Sequence, residues 1–381
     1  MAETTMQYDI AIIGAGPAGA VLAAELKESF RVLLIDKRCL TDPSRRYEKE
    51  KSCGGLLDKR AQKALAVLGI PLDKEILASP QVFALKGIDL DNHGMERCYQ
   101  KQYVNIDRVR FDAALADRAR QKANVELREE TVACGLRPVE EGMELTLRGP
   151  AGRETVTASW VVGADGGTSL VRRWLKAQGH GRREPKRYAS LQEWYPMPED
   201  PACFTAVFDR RVTDFYSWMI PENGRVPLGS AIPKSPDARL KFEYLKARLM
   251  ERGFGLCQPE KTRGAIILRP RPFGSVDTGG GRVFLTGEAA GLISPCSAEG
   301  ISYALNSALA LVHTFMSAEE EALQRMYYQK TSALRLSIFL KSFKSPIMYS
   351  PIPRGLVFRS RLLSMPVEEK GAFAWSPKQM W

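Results

Sequence analysis

The sequence predicts an α/β protein with a Rossmann-like parallel sheet, an inserted antiparallel sheet and C-terminal helices. Three observations carry this prediction. First, the apolar run 8–13 leads into Gly14, Gly16 and Gly19 at G-x-G-x-x-G spacing, then an Ala/Leu-rich stretch, then a second apolar run that ends at Asp36. That order makes one βαβ unit of the kind that binds a dinucleotide. Second, glycine-acid turns recur after apolar runs at Gly163-Ala-Asp165-Gly166 and Gly287-Glu288. Third, from about 188 to 267 the pattern changes to alternating segments, at 204–208, 215–219 and 228–232, the period of half-buried strands.

Each part of the first unit has a physical task. Gly14 permits the tight turn out of the strand, Gly16 lets a pyrophosphate approach the backbone, and Gly19 lets the helix pack close to the sheet. The helix opens around Ala18 with N–H groups and a positive dipole end aimed at phosphates. Asp36, followed by Lys37, stands where a ribose hydroxyl pair needs an acceptor.

The charge-dense segment 37–51, with Pro43, reads as a mobile surface loop. It ends at Cys53-Gly54-Gly55, where paired glycines permit close backbone approach to a ligand or another strand. A helix is expected over 58–68, stopped by Gly69 and Pro71, with short strands at 81–90 and 102–106. Asp107 caps a helix over 109–122, and 125–127 and 143–147 read as strands of a small meander. The runs 158–163 and 282–285 read as buried strands. The apolar run 301–316 reads as a buried helix, too short for a membrane span, with His313 as a core residue. The expected organisation is a discontinuous nucleotide-binding domain (1–75, 105–187 and 268–320), a substrate-binding antiparallel sheet domain (76–104 and 188–267) and a basic helical region (321–381).

Composition bounds the rest. A chain of 381 residues, 44% hydrophobic, is more than one compact core usually holds and suits two closely joined domains. The formal charge of +11 favours anionic partners, and no nucleic-acid motif accompanies it. Seven widely spaced cysteines without C-x-x-C argue for reduced thiols and against a zinc or iron–sulfur site. The start Met-Ala-Glu-Thr-Thr lacks a basic n-region, so no signal peptide and a cytoplasmic location are expected. Residues 322–365 contain no acid, while Arg325, Lys330, Arg335, Lys341, Lys344, Arg354, Arg359 and Arg361 alternate with large apolar residues. That composition fits a helical cap with a solvated basic face, or peripheral contact with an anionic membrane at its inner face. No Ser/His/Asp set, paired-carboxylate site or metal-ligand cluster stands out.

The three glycine-acid turns, in this order, resemble the FAD-binding fold of p-hydroxybenzoate hydroxylase and its relatives. Gly163-Ala-Asp165-Gly166 is similar to that family's D-G fingerprint, and Gly287-Glu288 to its G-D motif, with Glu288 in place of the usual Asp. Arg108-Val-Arg-Phe-Asp112-Ala-Ala-Leu115 is similar to its R-x-x-F-D-x-x-L helix start. The resemblance implies FAD, held by Gly14, Gly16, Ala18, Gly19, Asp36, Lys37, Arg108, Asp165, Gly287, Glu288, Gly300 and Ile301. At Gly300 and Ile301 a helix begins whose N–H groups can face the pyrimidine edge of the flavin and stabilise negative charge there. Cys53-Gly54-Gly55, Phe215-Tyr216-Ser-Trp218-Met-Ile-Pro221 and the segment 287–305 resemble the geranylgeranyl-reductase branch. The run of motifs, Glu288 included, is also similar to the CbrA-type subgroup.

That branch implies hydride transfer from flavin to a double bond of an isoprenoid or lipid-like substrate. Cys53 is then a candidate proton donor or pocket wall, and Tyr216 and Trp218 line an apolar tunnel. An FAD-dependent monooxygenase acting on a small aromatic or apolar substrate, and an FAD-binding electron-transfer protein, are the alternatives. NAD(P)H, ferredoxin and quinol all stay open as electron donor.

Overall fold

A computed structural model of the chain describes residues 7–49, 52–180, 182–196, 203–361 and 364–365. The strand Gln7–Ile13 lies at the centre of an eight-stranded sheet. Val32–Ile35 and Gly152–Gly163 pair with it in parallel, and Val125–Arg128 and Val283–Leu285 extend the parallel set outward. Helices Pro17–Glu25, Arg108–Arg120 and Ile301–Ser317 pack on one face. The other face is covered by helix Leu170–Ala177 and by a meander of Val132–Val139, Gly142–Gly149 and the first half of Gly152–Gly163. Burial on both faces explains why the central strands read as continuous apolar runs rather than alternating ones.

Register decides where the site forms. Ile13 stands opposite both Ile35 and Gly163, and Gly163 stands opposite Leu285. Four parallel strands therefore end on one line, and the turns at Gly14, Asp36, Ala164 and Thr286 emerge side by side.

Three local expectations need correction. Val125–Arg128 is not part of the meander: it pairs in parallel with Val32–Ile35. The helix before it makes the crossover that a parallel partner needs, and four residues carry too little pattern to tell the two arrangements apart. The segment after Asp36 is tethered through Lys49. Glu129 Oε1 accepts from Leu40 N at 2.6 Å and Thr41 N at 2.9 Å, and Arg45 pairs with Glu130 at 2.6 Å; residues 50 and 51 lie outside the described set. His313 is exposed, on the outer side of its helix.

The second sheet has seven strands, in the order Lys261–Arg269, Lys186–Pro196, Arg225–Pro233, Ser217–Met219, Phe204–Phe208, Ala84–Asp89 and Met95–Gln100. All pairs are antiparallel except Phe204–Phe208 with Ala84–Asp89. The edge strand Met95–Gln100 and the helix Ala238–Met250 are absent from the sequence reading. That helix packs Phe242, Leu245 and Leu249 against Leu228 and Ile232 of the sheet. Its apolar residues have helical spacing, but they are diluted by basic residues inside a segment whose dominant period is that of strands.

The last described helices are Leu323–Lys330, Ser332–Tyr349 and Pro351–Ser360, which lie across both sheets; the rest of the expected helical region, 366–381, lies outside the described residues. No described helix is long and apolar enough to cross a membrane. The last helix is fastened to the second sheet by Arg354, whose side chain is buried and pairs with Asp89 at 2.8 Å and Asp91 at 2.6 Å. Arg354→Leu would leave the buried Asp89 carboxylate without its cation, a loss of about 3–5 kcal/mol. Urea unfolding should show a lower midpoint at unchanged slope, and an unchanged midpoint would contradict this fastening.

Candidate functional site

A cavity of about 1820 Å³ starts at the ends of the parallel strands and continues beneath the C-terminal helices. A single small-molecule site usually takes about 300–1,000 Å³, so this space accommodates a dinucleotide and a second ligand together. Its near half is lined by Gly14, Gly16, Asp36, Asp165, Gly287 and Gly300, and its far half by Leu85, Phe204, Phe208, Tyr216, Trp218 and Phe358.

The three glycines of the first turn divide by cause. A Cβ on Gly14 would lie 2.6 Å from Ala164 O, at a φ of +104°, and one on Gly19 would lie 1.9 Å from Gly14 O. Those two are required by the protein's own backbone. A Cβ on Gly16 would meet nothing within 4 Å, so that space opens into the cavity. Helix Pro17–Glu25 begins there without a side-chain cap, and Ala18 in its first turn lines the cavity. An uncapped helix start facing open space is an anion site in waiting.

A buried chain of alternating charge runs alongside. Asp36 accepts from Ala15 N at 2.8 Å and from Arg38 N, Nε and Nη2 at 2.8, 3.0 and 3.0 Å. Arg38 also donates to Asp112 at 2.8 Å; Arg108 donates to Asp112 at 2.7 Å and to Cys53 Sγ at 3.2 Å. Burial alone would raise both aspartates, but the charges and hydrogen bonds of Arg38 and Arg108 outweigh it and hold both below the usual carboxylate range. Lys37, the residue singled out in the sequence, is exposed at the rim, and Arg38 next to it makes the buried contacts. Asp36 thus lines the cavity but is already engaged by the protein on both oxygens.

The other turns converge on the same space. Asp165 Oδ2 accepts from Leu170 N at 2.6 Å, while the buried Oδ1 has no hydrogen-bond partner. Burial pushes this carboxyl up, as expected for an acceptor awaiting a donor. Glu288 lies over the Gly166-Gly167 turn and its Oε1 accepts from Leu268 N at 3.0 Å. The extra methylene relative to Asp carries this carboxylate to the backbone of the second sheet, a use the sequence does not reveal. Gly287, Gly300 and Ile301 line the cavity, and helix Ile301–Ser317 begins at Gly300 without a side-chain cap. Two uncapped helix starts, an orphaned carboxylate oxygen and a backbone approach kept open at Gly16 fit FAD.

In the far half, Tyr216 donates to Ser297 O at 2.7 Å and stacks on Tyr349 at 6.4 Å. Trp218 Nε1 donates to Gln192 Oε1 at 3.1 Å, and its ring lies against Gly229, where a Cβ would come within 2.3 Å of it. Tyr103 donates to Glu299 Oε1 at 3.0 Å. Burial pushes the Tyr103 and Tyr216 phenols well above their ordinary values, so both stay neutral walls. Cys53 lines the cavity between the two halves.

The structure therefore brings Cys53, Tyr216 and Trp218 to the same cavity as the expected nucleotide-binding residues except Gly19, which packs its helix against Gly14 O and does not line the cavity. Sequence reasoning missed Arg38, Tyr103, Glu299 and Tyr349. An arginine two residues past the strand-terminal acid was a usable signal for the first; the others are assembled only by tertiary packing.

Comparison with known proteins agrees with this geometry. Residues 7–217 match the family described as FAD binding domain. The chain is 32% identical over 361 residues to Protein CbrA of Shigella dysenteriae serotype 1 (strain Sd197), covering 94% of this chain and 98% of that one. Among solved structures, it is similar to a geranylgeranyl bacteriochlorophyll reductase-like protein from Thermoplasma acidophilum, with a TM-score of 0.75, 20% identity and coverage of 93% and 91% of the two chains. It is also similar to OxyS anhydrotetracycline hydroxylase from Streptomyces rimosus, with a TM-score of 0.67, 20% identity and coverage of 94% and 72%. The cofactor is FAD.

Two outcomes follow from the near half. Gly16→Val should fold normally, because nothing of the protein lies within 4 Å of the new Cβ, yet purify without flavin absorbance; yellow protein would contradict this placement. Arg38→Gln should destabilise by about 3–5 kcal/mol at neutral pH, because it strips a cation from two buried carboxylates. Both aspartates have depressed folded values, so the stability they contribute is present above about pH 4 and lost as pH falls through those values. The gap between wild type and variant, read by denaturant unfolding across pH, should narrow below that point; a constant gap would mean the charges are not its source.

Proposed function

We propose that this chain, an FAD-dependent oxidoreductase that belongs to the FAD-binding-domain family and is related to the CbrA proteins, reduces a double bond of an isoprenoid or other lipid-like substrate. The observation that carries this reading is the continuity of the cavity, from the glycine turns into a long apolar and aromatic far half. One solved neighbour is described as geranylgeranyl bacteriochlorophyll reductase-like and others as a hydroxylase or a flavin-dependent halogenase. Their shared fold supports flavin chemistry without choosing among reactions. The apolar and aromatic lining of the far half favours the reductase.

FAD, when bound, supplies a hydride donor. Gly14, Gly16 and Ala18 would form the phosphate cradle, with Asp36, Lys37 and Arg38 at the ribose end. Asp165, Gly287, Glu288 and Arg108 would flank the linking chain, and the helix start at Gly300 and Ile301 would meet the electron-rich ring edge.

The chain's own residues supply dryness and a proton. An unactivated double bond polarises poorly, so a water-free pocket and a positioned acid matter. Phe204, Phe208, Tyr216 and Trp218 wall off water. Cys53 carries the proton for the second carbon, with Arg108 Nη1 fixing its sulfur at 3.2 Å; the sulfur regains a proton from solvent afterwards. Tyr216 is a wall, since its hydroxyl already donates to Ser297 O.

The test is anaerobic incubation of the reduced enzyme with a geranylgeranyl-chain alcohol, with mass spectrometry to count hydrogens gained. Saturated product is expected, and Cys53→Ala should slow its formation about 10²–10⁴-fold at unchanged FAD content. Stoichiometric hydroxylation in air with no hydrogen gain would replace this reading with the monooxygenase.

A further inference from the structure

Helix Ser332–Tyr349 is amphipathic in the wrong direction. Leu336, Leu340, Phe343 and Ile347, spaced four, three and four apart, form one stripe, and they are 57, 59, 55 and 51% exposed. Two positions on, and so on the opposite face, Ile338, Ser342, Ser345 and Tyr349 are buried. The helix thus turns two serines toward the protein and four large apolar side chains away from it. Helix Pro351–Ser360 continues the stripe with Ile352, 80% exposed, and Leu356, 61% exposed. Phe273 widens it: its ring meets Phe339 at 5.1 Å, and Phe339 meets Phe343 at 4.9 Å. Among the described residues nothing covers this patch, and contiguous exposed apolar surface of this kind marks an interaction site.

We propose that this face docks on an anionic lipid bilayer and that the mouth of the cavity opens onto it. Charge selects the occupant. Residues 322–361 contain no carboxylate side chain; Lys344 and Arg359 are exposed on the same two helices, and Lys330 and Arg361 are exposed just beyond their ends. A second copy of the chain would set these cationic flanks against each other across a two-fold axis, whereas an anionic headgroup layer complements them. Apolar side chains flanked by lysine and arginine suit a helix pair lying in the plane of the interface. The cavity supports the same assignment: Ile347 of the stripe and Val357, beside Leu356 in the next helix, are both exposed and line the cavity. A lipid chain could pass from the bilayer to the far half of the site without crossing water. Only that route rests on the proposed substrate class; the docking does not.

The test is flotation of the FAD-loaded full chain with vesicles of phosphatidylcholine alone or mixed with phosphatidylglycerol, with no substrate present. The chain should float with the mixed vesicles, less at high salt, and remain unbound with phosphatidylcholine alone. The Leu340→Glu/Phe343→Glu double variant should bind at least tenfold more weakly while keeping its FAD absorbance, which shows that it is folded. Equal binding by the variant, or no binding by the wild type, would overturn the proposal. So would a wild-type dimer that the double variant splits into monomers, since a second copy would then cover the face. Because no turnover is measured, failure here is distinct from failure of the reductase reading.

Discussion

The parallel register between Gln7–Ile13 and its neighbours is the constraint on which the site depends. Ile13, Ile35, Gly163 and Leu285 end their strands on a common line. Backbone hydrogen bonds hold that line, so the turns that follow have no freedom to spread apart. Residues more than two hundred positions distant in the chain, such as Gly14 and Glu288, border one cavity for this reason. A slip of one residue in any strand would move its turn along the sheet and flip its side chains to the other face.

Onto that frame the protein builds a buried chain of charges, Asp36, Arg38, Asp112 and Arg108, that ends at Cys53. Desolvation of four ionised groups is costly, and the alternation of sign together with multiple hydrogen bonds offsets it. The chain links the first βαβ unit to the helix Arg108–Arg120 and to the loop that carries the candidate acid. Positions near the nucleotide end and the reacting end are thereby coupled through fixed geometry. Asp165 behaves in the opposite way: one of its buried oxygens is left without a partner by the protein, which leaves it to a ligand.

The second sheet and the C-terminal helices finish the cavity. Arg354 anchors the last helix to the sheet, and Tyr349 lies against Tyr216 inside the cavity. The same helices that close the site bury Ile338, Tyr349 and Phe358 but expose Leu336, Leu340, Phe343, Ile347, Ile352 and Leu356. Their inner surface is shaped by serines and aromatic rings, their outer surface by leucine, isoleucine and phenylalanine. Composition alone leaves both a solvated basic cap and a membrane-facing helix pair open for this region, and the inverted face is what favours the second.

By itself the sequence determined the nucleotide half. Gly14, Gly19 and Gly287 are legible because turn sterics restrict those positions to very few residue types, and Gly16 and Asp165 because short-range order places strand, turn and helix in succession. The apolar helix at 301–317 is legible from length and hydropathy alone. Tertiary structure decided the rest. Whether Val125–Arg128 joins a parallel sheet or a meander, whether Arg38 or Lys37 turns inward, and where the carboxylate of Glu288 comes to rest all depend on partners remote in the chain. Local pattern encodes which face of an element is apolar; it does not encode what that face meets, and on helix Ser332–Tyr349 the apolar stripe stays more than half exposed.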